Sequence, residues 1–160
     1  MRPRIFAVQD YLRAFSMPES TIDSLLQWLD KCPTPFHVVD TAASSLEAAG
    51  FTRTTKLGNE IPSLGYLAID GCIVAWRLGT RTGALRIIGA HTDSPNLRVL
   101  PHADIHQLGW SQLAIEIYGG VLLNSWLDRD LGIAGRVIDS NGNSHLYSVQ
   151  QALARIPQLA

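Results

Sequence analysis

The sequence predicts an α/β fold that begins with helices and continues into a β-rich module. Three observations predict this order. Apolar residues between positions 20 and 49 recur at helical spacing, while those beyond position 63 form short runs or alternate, as in strands. The pattern shifts again near Leu100, so we expect one domain over residues 1–98 and a second, β-rich domain over residues 99–160.

Composition and charge narrow the class of protein. The chain has 160 residues, of which 46% are hydrophobic and 17% charged, as in globular domains with a packed core. A formal net charge of −1 offers no basic surface for nucleic acid. No apolar run approaches the roughly 20 residues that cross a bilayer. We therefore predict a cytoplasmic protein with no nucleic-acid or membrane partner.

Two helices are predicted in the N-terminal part of the chain. The first begins at Ser20, a plausible N-cap, and ends before Pro33. The second follows Pro35 and runs to about Ala49, with Gly50 well placed as a left-handed cap.

Short strands are predicted next. The runs YLAID and CIVAWRL flank Asp70 and Gly71, a pattern typical of a tight hairpin. The run ALRIIGAH predicts a buried strand that ends at His91. Functional side chains often lie at such strand ends. Residues 96–101 are expected to be a connector.

The last third predicts further hairpins. QLAIEIY alternates in polarity, GRVID and SHLYSV flank the turn SNGN, and Gly119 and Gly120 indicate a bend or bulge. The final stretch, QQALARIPQLA, has no terminating signal, which favours a truncated element. Cys32 and Cys72 lie outside any metal-binding pattern and are expected to be buried, unpaired side chains.

The segment GAHTDSPNLRV carries the strongest chemical signal. His91 and Asp93 are two residues apart, so in extended chain an imidazole and a carboxylate share one side. A zinc ligand requires a neutral imidazole whose other nitrogen is held, and a carboxylate can hold it. By spacing alone, a satisfied polar pair or a loop cap is the commoner interpretation.

Other polar residues have simpler interpretations. His102 and His106 have a spacing that can bind a metal on a helix, but Pro101 precedes them and they are expected to be solvated loop residues. His37 is expected to be a hydrogen-bonded histidine at a helix start.

Two further candidates lie in loops. Asp128 and Asp130 could pair at a metal, but a charged turn opening a new element is the simpler interpretation. Ser94 is not in a G-x-S-x-G elbow, so a serine nucleophile is unsupported.

Three blocks in order carry a family resemblance: CPTPFHVVDTAASSLEAAGF, GAHTDSPNLRV and QLAIEIYGGVLLNSWLDRDLGIAGRV. Together they closely resemble the aspartyl aminopeptidase family of zinc peptidases, from about Leu25 to the end. The resemblance implies a two-zinc α/β peptidase domain interrupted by an inserted β-rich dimerisation domain. It implies that His91 is a metal ligand and that Asp93 is the catalytic carboxylate beside it.

The resemblance also implies an activity and a partner. The family removes N-terminal aspartate or glutamate from peptides, with a glutamate as general base, and its members form homo-oligomers. The remaining ligands are expected beyond residue 160, so this chain alone should bind zinc weakly. Strands that normally pair would be left as edges, so the chain alone should also be poorly soluble.

Two alternatives stay open from the sequence. The chain could be a non-catalytic assembly or binding fragment whose β module mediates self-association. It could also belong to a related two-zinc peptidase with another specificity, because a His-x-Asp element alone does not separate them.

Overall fold

The computed structural model describes residues 21–58, 61–79, 83 and 85–157. The chain divides into two units between Lys31 and Cys32. The first unit contains helix α1, Thr21–Asp30, which carries Asp23 in its first turn, where a carboxylate complements the helix dipole. The helix ends before Pro33, as predicted, while its predicted cap, Ser20, lies outside the described residues.

Helix α2, Pro35–Ala48, opens the second unit and has the caps that the sequence predicts. The Thr34 side chain caps its start, and proline occupies the first turn, where no backbone donor is needed. At the other end Gly50 has φ +85° and donates its N–H to Glu47 O at 2.9 Å, while the next N–H bonds to Leu46 O. This pair of bonds closes a Schellman motif.

A mixed three-stranded sheet packs against α2. Its strands are β1 (Thr52–Arg53), β2 (Leu64–Ile69) and β3 (Cys72–Arg77) in the order β1-β2-β3, with β1 parallel and β3 antiparallel to β2. Ile69 pairs with Cys72 across a two-residue turn in which Asp70 has φ +50°. The predicted hairpin is thus confirmed, while β1 was not predicted.

The core of this layer is small. Among the described residues, the buried hydrophobic side chains are Val39 of α2 and Tyr66 of β2. The Tyr66 hydroxyl donates to Glu47 Oε1 at 2.5 Å, and this bond is the main reason that the Tyr66 pKa is raised. Gly65 lies directly beneath the Trp76 ring, where a Cβ would meet Cζ2 at 2.5 Å.

Residues 85–90 are not the buried strand that the sequence predicts. They form no strand, and the side chains of Leu85, Ile87 and Ile88 are 90%, 86% and 98% exposed. Apolar β-branched residues fit a sheet only when neighbouring strands flank them, and no described strand pairs with this segment. The prediction of a buried strand is therefore wrong for this chain.

The first long hairpin joins β4 (Asn96–Gln107) to β5 (Trp110–Tyr118). Strand β4 occupies the positions predicted as a connector, so that prediction is wrong. The register shifts between Val99 and Asp104, where residues 100–103 form a bulge opposite Ala114. The bulge contains His102 at φ +57°.

The second long hairpin joins β6 (Leu131–Ile138) to β7 (Ser144–Ala154) and confirms the predicted turn at SNGN. A short 3-10 helix, Leu123–Ser125, precedes it, and Leu127 forms a parallel bridge with Ile156. Residues 158–160 of the final stretch lie outside the described residues.

Side-chain bonds link the second hairpin to the helix and sheet layer. Arg136 of β6 bonds to Asp70 Oδ1 at 2.8 Å, and its guanidinium lies 4.1 Å from the centre of the Phe36 ring. Strand β4 runs through the position where the domain boundary at residues 98 and 99 is predicted. That boundary stays a prediction.

Two further features bear on the sequence-based expectations. Cys72 is exposed and Cys32 half-buried, so the expectation of two buried cysteines is wrong. None of the described helices is both long enough and apolar enough to span a bilayer.

Candidate functional site

The candidate site is the loop that follows the exposed segment 85–90. It carries His91, Thr92 and Asp93 and leads into β4. The Thr92 hydroxyl donates to the backbone carbonyl of Gly71 at 2.7 Å, which anchors the loop to the β2–β3 turn. A loop with a fixed anchor can hold its neighbouring side chains in one orientation.

His91 and Asp93 lie together, as their spacing predicts. His91 Nδ1 is 2.6 Å from the Asp93 backbone oxygen and 3.2 Å from Asp93 Oδ1. Because a carbonyl oxygen only accepts hydrogen bonds, Nδ1 carries the proton in this geometry. In its neutral form the ring therefore has its lone pair on Nε2. The His91 side chain is 79% exposed.

The Asp93 carboxylate is held by a second donor from a distant strand. The hydroxyl of Tyr118, the last residue of β5, donates to Asp93 Oδ2. This bond is the main reason that the pKa of Asp93 is lowered and that the pKa of Tyr118 is raised. The bond thus favours an ionised carboxylate beside a neutral phenol.

Strand pairing brings Tyr118 to the loop. Tyr118 pairs with Asn96, and the Arg98 guanidinium lies 3.4 Å from the centre of the Tyr118 ring. Gly119 follows at φ +71°, where a Cβ would approach Pro95 Cγ at 3.4 Å, so the chain passes closely behind the loop. The bend predicted at Gly119 is confirmed.

Asn96 also holds the loop through a side-chain hydrogen bond. Its Nδ2 donates to the Ser94 carbonyl at 2.9 Å, while its Oδ1 is buried and has no hydrogen-bond partner among the described residues.

The donor set fits a single zinc ligand and its supporting carboxylate. Neutral imidazole with a held Nδ1–H is the form in which histidine binds zinc through Nε2. A catalytic zinc takes three protein ligands and a water. Within the described ranges, no group of three or more histidine, cysteine, aspartate or glutamate residues could hold a metal ion. His91 can therefore contribute one bond to a site that needs further donors.

The other candidate histidines lie apart from this loop. His102 and His106 are on β4, not in a loop as predicted, although both are exposed. His106 Nδ1 is 3.3 Å from Ser111 Oγ across the hairpin. His37 is a hydrogen-bonded histidine at a helix start, as predicted, with Nδ1 2.7 Å from Thr34 Oγ1.

The acidic pair in WLDRDLG is placed at a turn, in keeping with its predicted structural role. Asp128 has φ +55° and donates its N–H to Ile156 O at 2.8 Å. Asp130 pairs with Arg155, and β6 begins at the next residue.

Sequence reasoning missed Tyr118, Arg98 and Thr92. Tyr118 is 25 residues from Asp93 in sequence, and its position depends on the bulge in β4. Counted from the hairpin turn without the bulge, Tyr118 would face Val99 instead of Asn96. A tyrosine at the end of an alternating strand carries no signal of this shift.

Comparison with known proteins gives a consistent result. Residues 28–160 match the family described as aminopeptidase I zinc metalloprotease (M18). The chain is 50% identical over 143 residues to the probable M18 family aminopeptidase 2 of Streptomyces coelicolor, covering 86% of this chain and 33% of that protein. The protein of the same name from Mycobacterium tuberculosis is 43% identical over 149 residues, covering 88% of this chain and 34% of that protein. The chain spans about a third of the length of these relatives.

Solved structures agree with the fold. The crystal structure of yeast aminopeptidase 1 matches with a TM-score of 0.74 and 29% identity, covering 86% of this chain and 35% of that one. The Saccharomyces cerevisiae mApe1 dodecamer matches with a TM-score of 0.73 and 29% identity over the same shares. An M18 aminopeptidase of Thermotoga maritima shares the fold at a TM-score of 0.72 and 22% identity, covering 95% of this chain and 34% of that one.

Proposed function

The chain belongs to the aminopeptidase I zinc metalloprotease family (M18), and on this premise we propose that it supplies His91 to the active site of a two-zinc aminopeptidase. The proposed reaction releases N-terminal aspartate or glutamate from peptides. The proposed protein is a homo-oligomer in the cytoplasm. The observation that carries the proposal is the orientation of the His91 ring, whose Nδ1 is held by Asp93 and whose Nε2 is left as the nitrogen that can bind a metal.

His91 supports a metal role through its exposure and its tautomer. Its side chain is 79% exposed, so Nε2 can reach an ion without rearrangement of a core. The Nδ1–H bond to the Asp93 carbonyl fixes the ring plane, and the carboxylate 3.2 Å away favours the same protonated nitrogen. Bound zinc would supply a Lewis acid that activates water and polarises the scissile carbonyl.

Asp93 acts on the reaction through His91 in this proposal. A carboxylate that accepts from the far nitrogen of a ligating histidine raises the basicity of the ligand and fixes its tautomer. The hydroxyl of Tyr118 donates to Oδ2 of this carboxylate and lowers the Asp93 pKa. The geometry supports a role for Asp93 as the carboxylate that orients and supports the ligand.

The proposal assigns the remaining donors to groups beyond this loop. One imidazole gives a weak zinc site, because catalytic zinc takes three protein ligands. The donors of the described residues do not form such a set. We therefore expect the 160-residue chain by itself to bind zinc weakly and to turn over no peptide.

A chimera tests the function directly. The segment of the Streptomyces coelicolor protein that matches this chain, 143 residues at 50% identity, is replaced by the sequence of this chain. Zinc content and hydrolysis of aspartyl, glutamyl and leucyl p-nitroanilides are then measured beside the unmodified protein. We expect zinc binding and a preference for the acidic substrates, both lost in His91→Ala. His106→Ala, an exposed histidine on β4, serves as the matched control and should retain both.

Each part of the proposal has its own contradicting result. A folded His91→Ala chimera with unchanged zinc content and activity would remove His91 from the metal site. A chimera that prefers the leucyl substrate would contradict the acidic specificity and leave the metal role intact.

A non-catalytic assembly role is the second candidate, and one observation favours it. The apolar residues on one face of β5 stay partly open to solvent: Leu113 is 41%, Ile115 42% and Ile117 55% exposed. Such a face can mediate self-association. A folded chimera that assembles normally but neither binds zinc nor hydrolyses any substrate would favour this candidate.

A further inference from the structure

We propose that Tyr118 is a positioning residue for the metal site, so that strand β5 of the β-rich hairpin controls the orientation of His91. The proposal rests on the proposed function of His91 as a zinc ligand. It assigns a role in the site to a residue that lies 25 positions away in sequence.

A chain of contacts leads from Tyr118 to His91. The Tyr118 hydroxyl donates to Asp93 Oδ2, and the other carboxylate oxygen, Oδ1, lies 3.2 Å from His91 Nδ1. One carboxylate thus joins a phenol on β5 to the imidazole on the loop. The Asp93 side chain is half-buried, and its bond to Tyr118 limits its rotation together with the contact to His91.

Tyr118 is itself held in place by two contacts. Its backbone is paired with Asn96 at the end of the hairpin, and the Arg98 guanidinium stacks on its ring at 3.4 Å. Arg98 is two residues from Asn96, so both lie on the same face of the strand as the tyrosine. A ring held by a strand pair and a cation has few rotamers from which to donate its hydrogen bond.

The loop is also anchored on its other side, at Thr92. Thr92 bonds to Gly71 O at 2.7 Å, so the β2–β3 turn holds one side of the loop while Tyr118 holds the other. Loss of the phenol hydroxyl would leave the Asp93 carboxylate in contact with His91 Nδ1 alone. The His91 ring would keep its bond to the Asp93 backbone oxygen but lose a fixed carboxylate beside Nδ1, so its preference for a proton on Nδ1 would weaken.

The test uses the 160-residue chain labelled with 15N, as wild type and as Tyr118→Phe. Long-range proton–nitrogen spectra give the tautomer of each histidine without metal, and addition of zinc chloride gives the affinity at His91 Nε2. We expect wild-type His91 to carry its proton on Nδ1. We expect Tyr118→Phe to weaken that preference and to bind zinc about tenfold more weakly, as other outer-sphere substitutions do.

A matched control separates this role from loss of a hydroxyl in general. Tyr147 lies on β7 and is 55% exposed, and Tyr147→Phe should leave the tautomer and the zinc affinity of His91 unchanged. Cross-strand NOEs between Asn96 and residue 118 report whether the β4–β5 hairpin is intact in each variant.

The outcomes are distinct. An intact hairpin in Tyr118→Phe with unchanged tautomer and zinc affinity overturns the proposal. If the hairpin is lost, the wild-type chain decides: a slowly exchanging Tyr118 hydroxyl proton with an NOE to Asp93 supports the proposal, and its absence overturns it. If the wild-type chain binds no zinc, the tautomer alone decides the positioning role, and the chimera decides the proposed function of His91.

Discussion

At the scale of single residues, hydrogen bonds to Asp93 and Asp139 lower the pKa values of these carboxyl groups. The pKa of Asp93 is lowered first by the Tyr118 hydroxyl, and that of Asp139 first by the side chain of Asn143. In both cases the donors stabilise the ionised form while desolvation opposes it. The same mechanism therefore serves the candidate metal site at Asp93 and a hairpin turn at Asp139.

Asp139 gives a prediction about pH. Its Oδ1 accepts the backbone N–H groups of Asn141 at 2.9 Å and Asn143 at 2.8 Å, and its pKa is lowered from 3.8 to about 2. A lowered native pKa means that the carboxylate stabilises the turn fully above pH 3.8 and that this stability is lost as pH falls toward 2. Hydrogen exchange at the Asn141 and Asn143 amides should therefore accelerate in that window.

The control is the Asp139→Asn variant, whose side chain has no charge to titrate. Its amide exchange at Asn141 and Asn143 should therefore depend less on pH between 3.8 and 2. The 13C shift of the Asp139 carboxyl gives the pKa directly. A titration midpoint at 3.8 in the wild type would contradict the proposed role of the turn donors.

At the scale of elements, close approach of the backbone and β-bulges decide how the two strands of each hairpin pair. In β6, a Cβ at Gly132 would lie 2.3 Å from the backbone oxygen of Val149, next to the register shift between Leu131 and Ile133. In β4, the bulge after Val99 brings Asn96 opposite Tyr118. Bulges thus fix which side chains meet at the ends of both hairpins.

The two glycines of β6 give a matched prediction. Gly132→Ala should destabilise the hairpin by about 1–3 kcal/mol, because the contact is with backbone that cannot move aside cheaply. Gly135→Ala meets nothing within 4 Å and should be neutral or stabilise by up to about 1 kcal/mol.

Hydrogen exchange of the β6 and β7 amides measures both variants. Equal effects of the two substitutions would show that the close approach at Gly132 does not limit the pairing of these strands.

At the scale of the whole molecule, side-chain contacts of residues 32–157 join the elements while much apolar surface stays open. Arg136 and Thr92 tie the second hairpin and the site loop to the β2–β3 turn. The segment with Leu85, Ile87 and Ile88 is nevertheless almost fully exposed. A contiguous apolar segment of this kind favours association.

The exposed segment predicts the behaviour of the purified chain. We expect concentration-dependent self-association and binding of the dye ANS, both reduced in Ile88→Ser. Leu108→Asn is the matched control, because Leu108 is 91% exposed but belongs to the β4–β5 turn and not to the segment. Light scattering after size-exclusion chromatography measures the association. A monomeric wild type that binds no dye, or equal effects of the two substitutions, would contradict the prediction.

The sequence by itself determined the local elements and the pairing of His91 with Asp93. Helix caps such as Gly50, the turns at Asp70 and SNGN, and the alternation of β5 act over a few residues, so their signals are complete in the sequence. The spacing of His91 and Asp93 is equally local. Three blocks of residues also indicated the family, which the match over residues 28–160 confirmed.

Only the tertiary structure decided which elements became strands and which side chains completed the site. The segment 85–90 has the composition of a buried strand, but a strand forms only where neighbours supply its hydrogen bonds. Residues 96–101 became part of β4 because β5 pairs with residues 96–99. Tyr118 reached Asp93 through a bulge whose size no local pattern encodes. Contacts between distant residues depend on strand register, and register is a property of the folded chain.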